Sequence, residues 1–247
     1  MADDEPEVAQ AGGNMGEVTR VGDEVRRPAG PWTANVHAFL ADLHEAGVSG
    51  VPRVLGETSD GRERLSFVAG EVAHHPLPDW IWEERILIDA AKLLRRIHDA
   101  SVERARTRSG WRMPVREPAE VVCHNDFAPY NLVFDRRTLV GVIDFDMAAP
   151  GPRLWDLAYL AYRLVPYAED AAAPASVREA EPQRRATLFS AYGVDPAAGM
   201  LWATMADRLD ALAQHSRTET VRRPELAVHA EMYERDAARL RARAPDS

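Results

Sequence analysis

Two acidic residues and an asparagine stand at a spacing typical of magnesium-dependent phosphate chemistry. His124, Asp126 and Asn131 form the pattern H-x-D-x-x-x-x-N, and Asp144 follows Asp126 by eighteen residues. A carboxylate can receive the proton of an attacking hydroxyl, and carboxylate and amide oxygens are the ligands that Mg²⁺ prefers. The spacing therefore makes Asp126 a candidate catalytic base and Asn131 and Asp144 candidate metal ligands of a phosphoryl-transfer site.

A predicted β-hairpin must position these side chains. Two hydrophobic, β-rich runs at 132–134 and 139–143 flank the polar turn 135–137, and such a pattern is typical of a hairpin. Because a hairpin folds its two ends together, we expect Asn131 and Asp144 to lie side by side.

Two interpretations are open for each of several other polar residues. Asp146 is either a second acid of the metal or acceptor site or a solvated turn residue. His74 and His75 would be able to bind a metal, but a pair of exposed loop residues is the favoured interpretation. Glu169 and Asp170 would attract a cationic substrate, but solvated loop charge is the favoured interpretation.

The composition restricts the class of protein. The 247 residues are 46% hydrophobic and 28% charged, as in an ordinary globular protein, and no apolar run reaches the length of a membrane span. A net charge of −9 argues against nucleic acid as a partner. Cys123 is the only cysteine, which fits a reducing compartment. We therefore expect a cytoplasmic protein without a membrane or nucleic-acid partner.

The periodicity predicts an α+β arrangement. Strand patterns dominate the first seventy residues, apart from one amphipathic helix at 33–45, and helical patterns dominate the rest, apart from the hairpin. The expected strands are 18–21, 24–27, 51–55 and 64–68, and the expected later helices are 82–99, 156–164, 182–192, 196–215 and 224–243. A small sheet-rich lobe followed by a larger helical lobe follows from this order.

The motifs resemble the aminoglycoside phosphotransferase family, small-molecule kinases with a protein-kinase-like fold. The resemblance is carried by His124-Asn125-Asp126 with Asn131, by Ile143-Asp144-Phe145, by the G-x-P-x-x-D-L-A-like stretch 151–158 and by a helix ending in Leu-x-x-Ile-His at 94–98. It implies a two-lobed α+β fold, with residues 1–68 as a small nucleotide-binding lobe and 69–247 as a helical lobe that carries the acceptor site.

The resemblance also implies roles for individual residues and cofactors. ATP (or GTP) with Mg²⁺ would lie between the lobes, and Ser66, Phe67 and Val68 would form the hinge that meets the purine. Asp126 would be the catalytic base, and Asp156 would brace the catalytic loop from a structural position.

The N-terminal lobe departs from the family pattern. Of 30 basic residues 29 are arginine, and the single lysine, Lys92, falls in the long helix rather than in a strand. Arg26 or Arg27 must therefore replace the strand lysine that holds the nucleotide phosphates, and we favour Arg26 because it follows Val25 in the expected strand. The first half of the helix 33–45 contains no acid that would pair with it, and Gly13 and Gly16 form only part of a glycine loop.

Together these features predict an ATP-dependent phosphotransferase that acts on a hydroxyl of a small molecule, such as an aminoglycoside-like antibiotic or a hydroxylated metabolite. Asp144 and Asp156 are about a dozen residues apart, too few for a long segment that docks a peptide. The missing lysine–glutamate pair motivates an alternative, a weak or inactive kinase-like protein that binds a nucleotide or ligand. A metal-dependent hydrolase is disfavoured because the histidine ligands expected for it are missing.

Overall fold

A computed structural model describes residues 8–9, 18–220 and 223–243 of the chain. The predicted glycine loop at Gly13 and Gly16 lies outside these residues. The strands are β1 (Val8–Ala9), β2 (Thr19–Val21), β3 (Glu24–Pro28), β4 (Val54–Glu57), β5 (Arg62–Ser66), β6 (Glu71–Val72), β7 (Val121–Cys123), β8 (Leu132–Asp135), β9 (Thr138–Val142) and β10 (Ala149–Gly151). The α-helices are α1 (Thr33–Glu45), α2 (Glu84–Ala100), α3 (Arg153–Leu164), α4 (Ala175–Glu179), α5 (Glu181–Tyr192), α6 (Ala198–Glu219) and α7 (Leu226–Arg241).

An antiparallel five-stranded sheet of order β1-β2-β3-β5-β4 forms the N-terminal part. The predicted hairpin of β2 and β3 and the helix α1 are confirmed, and α1 buries the apolar face predicted for it, which consists of Val36, Phe39, Leu40 and Leu43. Strands β4 and β5 lie closer to their connecting turn than predicted. The reason is that Thr58 and Arg62 exchange hydrogen bonds across the turn, so that the ladder begins at the turn itself.

The predicted hairpin at the site is also confirmed. Strands β8 and β9 pair with Leu132 opposite Val142, and β6 adds to the other edge of β8. Arg136 and Arg137 both have positive φ, 46° and 67°, which gives the connecting turn the left-handed geometry favoured in two-residue hairpins.

A close backbone contact ties the hairpin to the N-terminal part. The N–H of Val142 donates to the carbonyl oxygen of Gly50 at 2.8 Å, and a Cβ atom at Gly141 would lie 2.2 Å from that oxygen. The absence of a side chain at Gly141 therefore permits the approach that fixes the hairpin against the segment between α1 and β4.

The helices enclose the larger core. The predicted apolar stripe of α2 is buried, and α3 is buried on all sides from Trp155 to Leu164. Helix α3 begins at Arg153, three residues before the predicted start, and α6 extends to Glu219 beyond the predicted end. Among the described helices none is long and apolar enough to cross a bilayer.

Candidate active site

The loop between β7 and β8 holds Asp126 by two side-chain hydrogen bonds. The amide nitrogen of Asn131 donates to Oδ2 of Asp126 at 2.9 Å, and the hydroxyl of Tyr130 donates to Oδ1 at 2.5 Å. The same amide nitrogen also donates to the backbone oxygen of Asp126. Since the nitrogen of Asn131 is engaged in this way, its side-chain oxygen is the atom left for a cation.

Asp144 follows the far end of the hairpin, next to Asn131. The N–H of Ile143 donates to the carbonyl oxygen of Asn131 at 2.9 Å, so the residue after Ile143 adjoins the loop. The backbone of Asp144 has φ 64°, a left-handed conformation that is uncommon outside glycine but that aspartate adopts more readily than most residues. The structure therefore brings together Asp126, Asn131 and Asp144.

Asp156 lies beneath the loop, at the start of α3, and accepts three hydrogen bonds. The donors are the N–H groups of His124 and Asn125, at 2.6 and 2.8 Å, and the ring of His98, at 3.2 Å. Burial favours the neutral acid, but these donors outweigh it and hold the pKa of Asp156 below its ordinary value of 3.8. The carboxylate thus braces the backbone that carries Asp126, in the position expected from the sequence.

Asn125 provides a second brace that the motif alone did not assign. Its backbone has φ 62°, its side-chain oxygen accepts from the indole N–H of Trp155 at 2.9 Å, and its carbonyl oxygen accepts from Arg208 of α6. The sequence pattern of α6 does not indicate that Arg208 is buried. Its hydrogen-bond partner, the carbonyl oxygen of Asn125, lies 83 residues away in the chain, so no local pattern could indicate the contact.

The environment of Asp126 changes its acidity. Burial raises the pKa of Asp126, the hydrogen bond from Tyr130 lowers it, and the charge of Asp144 raises it further. The net effect is a pKa above the ordinary 3.8. A carboxylate with a raised pKa is a stronger base than an ordinary aspartate, which suits a group that accepts a proton.

The sheet and the hairpin enclose a cavity of about 540 Å³. Ser66, Phe67 and Val68 line this cavity together with Asn131 and Asp144. Their role as a hinge stays a prediction. Two of the three backbone N–H groups already donate within the protein, that of Ser66 to Arg53 and that of Phe67 to Asp23, each at 2.8 Å.

Arg27, and not Arg26, faces this cavity. Successive strand residues point to opposite sides of a sheet, so Arg27 shares the side of Val25, and both line the cleft. Arg26 instead donates to Glu24 at 2.5 Å, on the other side, with Glu24 also bonded to Arg64. The expectation that favoured Arg26 for the cleft is therefore wrong in its placement, and strand alternation from Val25 was the signal that would have selected Arg27.

The partner of Arg27 comes from a strand rather than from α1. Its Nε donates to Oε1 of Glu63 at 2.7 Å, directly across the β3–β5 ladder, and the other oxygen of Glu63 contacts His37 of α1 at 2.7 Å. The two remaining nitrogens of Arg27 donate to Asp144 at 3.3 Å and to Asp146 at 2.5 Å. Burial lowers the pKa of Arg27, but the three carboxylates raise it by more, so the guanidinium stays charged.

Asp146 is a member of the site and not a solvated turn residue. It is 7% exposed, and its second oxygen lies 4.0 Å from Arg112. Burial raises its pKa, while Arg27 opposes the rise. The interpretation as a solvated turn residue is thereby excluded, and a role of Asp146 at the metal or acceptor site stays a prediction.

A second cavity, of about 320 Å³, is lined by Asp126. It adjoins the first cavity at His74, Tyr130, Asn131 and Asp144, which line both. Residues of α6 and α7 form its far wall. Asn131 and Asp144 therefore lie where the two cavities meet, and Asp126 faces the second cavity beside them.

This architecture is that of a kinase-like small-molecule phosphotransferase, with a sheet, a helical region, a cleft between them and three polar side chains at the bottom of the cleft. Residues 29–202 match the model of the phosphotransferase enzyme family. The chain belongs to this family, whose members are small-molecule kinases, and the predicted fold and family are confirmed.

Solved structures of the same fold include phosphotransferases for different acceptors. A macrolide 2′-phosphotransferase from Brachybacterium faecium aligns with a TM-score of 0.64 at 17% identity, over 99% of this chain and 94% of that one. An aminoglycoside 2′-phosphotransferase-IIIa in complex with GDP aligns with a TM-score of 0.65 at 16% identity, over 96% and 94%.

One relative is closer in sequence. The trifolitoxin immunity protein of Rhizobium leguminosarum bv. trifolii is 36% identical over 151 residues, which cover 58% of this chain. The aligned stretch spans 56% of that relative's length.

Proposed function

We propose that the protein transfers the γ-phosphate of ATP or GTP to a hydroxyl group of a small molecule, with Asp126 as the catalytic base. The observation that carries the proposal is that Asn131 and Asp144 line both cavities, with Asp126 beside them in the second cavity. Asp126 would orient the acceptor hydroxyl and take up its proton. Tyr130 and Asn131 hold its carboxylate in place for this role, because each donates to a different oxygen.

The residues present fit a magnesium ion. The carboxylate of Asp144 and the side-chain oxygen of Asn131 form an all-oxygen donor pair, and Mg²⁺ completes its shell with waters and phosphate oxygens. When bound, Mg²⁺ would neutralise charge on the phosphates. Asp144 and Asn131 would hold the ion, and Asp144 would exchange its contact with Arg27 for it.

Arg27 would hold the nucleotide phosphates in place of the lysine that the strand lacks. A guanidinium binds two phosphate oxygens with its planar fork, and Glu63 fixes the direction of this fork from the neighbouring strand. The pair Arg27–Glu63 would thus replace the lysine–glutamate pair. The absence of that pair was the reason to consider an inactive protein, and the replacement weakens this alternative.

The hinge would bind the purine through the backbone of residues 66–68. The N–H groups of Ser66 and Phe67 already have partners. The polar contacts to the purine would therefore come from the backbone carbonyl oxygens of residues 66–68 and from the backbone N–H of Val68. The proposal covers both ATP and GTP as the phosphate donor.

A purified protein would be incubated with Mg-ATP or Mg-GTP and a panel of hydroxylated compounds, and product would be detected as a mass increase of one phosphoryl group. In Asp126→Asn we expect kcat to fall by about 10²- to 10⁴-fold, with nucleotide affinity retained. Tight nucleotide binding without turnover on any acceptor would instead favour the inactive, ligand-binding alternative.

We further propose that the transfer protects a cell against a toxic small molecule. The relative named an immunity protein, at 36% identity, favours this role, and the chain would act by phosphorylating a hydroxyl of the toxin. In a sensitive host, expression of the wild type should raise the inhibitory concentration of a toxin that the purified protein phosphorylates. Expression of Asp126→Asn should not raise it. Equal protection by both proteins would exclude phosphorylation as its cause.

A further inference from the structure

Away from Asp126, Asp144 and Asp146, the wall of the second cavity does not carry a surplus of acids. Apart from these three, the described lining contains three arginines and four histidines but two carboxylates. The arginines are Arg112, Arg163 and Arg223, the histidines are His74, His75, His215 and His229, and the carboxylates are Asp170 and Glu219. A polycationic acceptor needs several carboxylates within contact distance, and this part of the wall offers it two.

Arg163 is the most deeply buried cation of this wall. Its side chain is 4% exposed, and it donates to Asp170 at 3.2 Å and to Nε2 of His75 at 3.0 Å. Its Nε atom is buried and has no hydrogen-bond partner among the described residues. Asp170 is about one third exposed, so the buried charge of Arg163 is balanced by a single carboxylate at the edge of the cavity.

His75 adds no charge to this balance. Burial and the charge of Arg163 lower its pKa below 6.5, so at neutral pH its ring is uncharged and its Nε2 accepts the hydrogen bond from Arg163. The end of the cavity formed by Arg163 and His75 is therefore a donor-rich region with a buried positive charge.

This region lies one tyrosine side chain away from the base. The guanidinium of Arg163 is 6.0 Å from the ring centre of Tyr130, and the hydroxyl of Tyr130 bonds to Asp126. A small molecule can therefore reach both Asp126 and Arg163 along the face of Tyr130.

We propose that the acceptor carries an anionic oxygen group, such as a carboxylate, which docks at Arg163 and His75 while the acceptor hydroxyl lies at Asp126. The inference rests on the proposed function and specifies its substrate class. Asp170 then competes with the acceptor for Arg163. Under the opposite hypothesis, a polycationic acceptor, Asp170 would itself be a binding group.

The variant Asp170→Asn separates these hypotheses because they predict opposite signs. Acceptors would be tested in matched sets that share a hydroxylated ring and carry a carboxylate, a neutral amide or an amine. We expect the carboxylates to give the highest kcat/KM, and Asp170→Asn to lower their KM by about two- to fivefold, the change expected when a partly exposed charge is removed. The control Asp195→Asn removes an exposed acid outside the cavity lining and should leave KM unchanged.

The outcomes also distinguish this inference from the proposed function. Transfer that is best for amines, and weakened in Asp170→Asn, would overturn the anionic acceptor while leaving the phosphotransferase intact. A KM that falls equally in Asp170→Asn and Asp195→Asn would overturn it as well, because the effect would then be one of net charge. Failure to transfer phosphate to any member of any set, with the nucleotide bound, would overturn the proposed function and this inference with it.

Discussion

The loop proposed as catalytic and the residues proposed as the phosphate anchor are built in opposite ways. The loop, residues 124–131, is short and is braced from below by Asp156 through two backbone N–H groups. The anchor consists of Arg27, Glu63 and His37, which come from β3, β5 and α1, and the carboxylate of Glu63 holds it together by contacting the side chains of both Arg27 and His37.

This difference determines how each part tolerates change. The loop depends on backbone geometry that one buried carboxylate fixes, so loss of that carboxylate should affect both stability and catalysis. The anchor depends on a side-chain fork held by a cross-strand acid, so a change there should act mainly on nucleotide binding. Three substitutions test this contrast.

Asp156→Asn should have the largest effect. Both oxygens of the Asp156 carboxylate accept hydrogen bonds, whereas an amide carries no negative charge and has one oxygen to accept them. We expect the free energy of unfolding to fall by about 3 kcal/mol at neutral pH, as for other broken buried networks, and kcat to fall with it as the loop loosens. Urea unfolding and steady-state kinetics would measure both. Because the folded pKa of Asp156 is lowered, the stability it contributes is present above its ordinary pKa of 3.8 and is lost as the pH falls through the folded value.

The matched control is Asp42→Asn, which removes a carboxylate whose ion pair with Arg104 is about one quarter exposed. This change should cost less than about 1 kcal/mol. If Asp156→Asn were no more destabilising than Asp42→Asn, the brace described above would not be what holds the loop.

Arg27→Met should have the next largest effect and act on the nucleotide. Loss of a charged fork that binds phosphate oxygens is expected to reduce kcat/KM for the nucleotide by about 100-fold. Arg27→Lys keeps the charge but not the fork and should restore part of the loss. Calorimetric measurement of the Kd for the nucleotide, together with the kinetics, would show whether the substitution weakens nucleotide binding rather than folding.

Arg26→Met is the control for the anchor, since Arg26 lies on the opposite side of the same strand and pairs with Glu24. It should change kcat/KM by less than about twofold. A larger loss in Arg26→Met than in Arg27→Met would restore the assignment to Arg26 that the sequence first favoured.

The same contrast explains what could be predicted from the sequence. The loop and hairpin are contiguous in the chain, so the spacing of Asp126, Asn131 and Asp144 and the hairpin pattern together were enough to predict that they meet. The helices with a clear apolar stripe, such as α2, were predicted for the same reason, because periodicity is a local signal.

The anchor could not be predicted in this way because its members are 10 to 36 residues apart: Arg27 and Glu63 meet through sheet register, and His37 comes from α1. Glu63 is an ordinary strand residue in the sequence, and its role depends on standing opposite Arg27 in the β3–β5 ladder. The choice between Arg26 and Arg27 was nevertheless available, because strand alternation from Val25 fixes the side. The burial of Arg163 and Arg208 in helices could not be predicted, since their partners lie on distant elements.

Tyr130→Phe should have the smallest effect and tests how finely the loop tunes its base. The hydroxyl of Tyr130 donates to Asp126 and lowers its pKa, so its removal should raise that pKa further. Because Asp126 must be ionised to accept a proton, the acid limb of the kcat–pH profile should move to higher pH, with a change at the plateau of no more than a few fold. Profiles measured over about pH 5 to 9 would show the shift. Tyr159→Phe is the matched control, since Tyr159 contacts the hydroxyl of Tyr130 at 2.9 Å and its loss leaves the bond to Asp126 in place. An acid limb that moves to lower pH in Tyr130→Phe, or moves equally in both variants, would mean that Tyr130 does not set the acidity of the base.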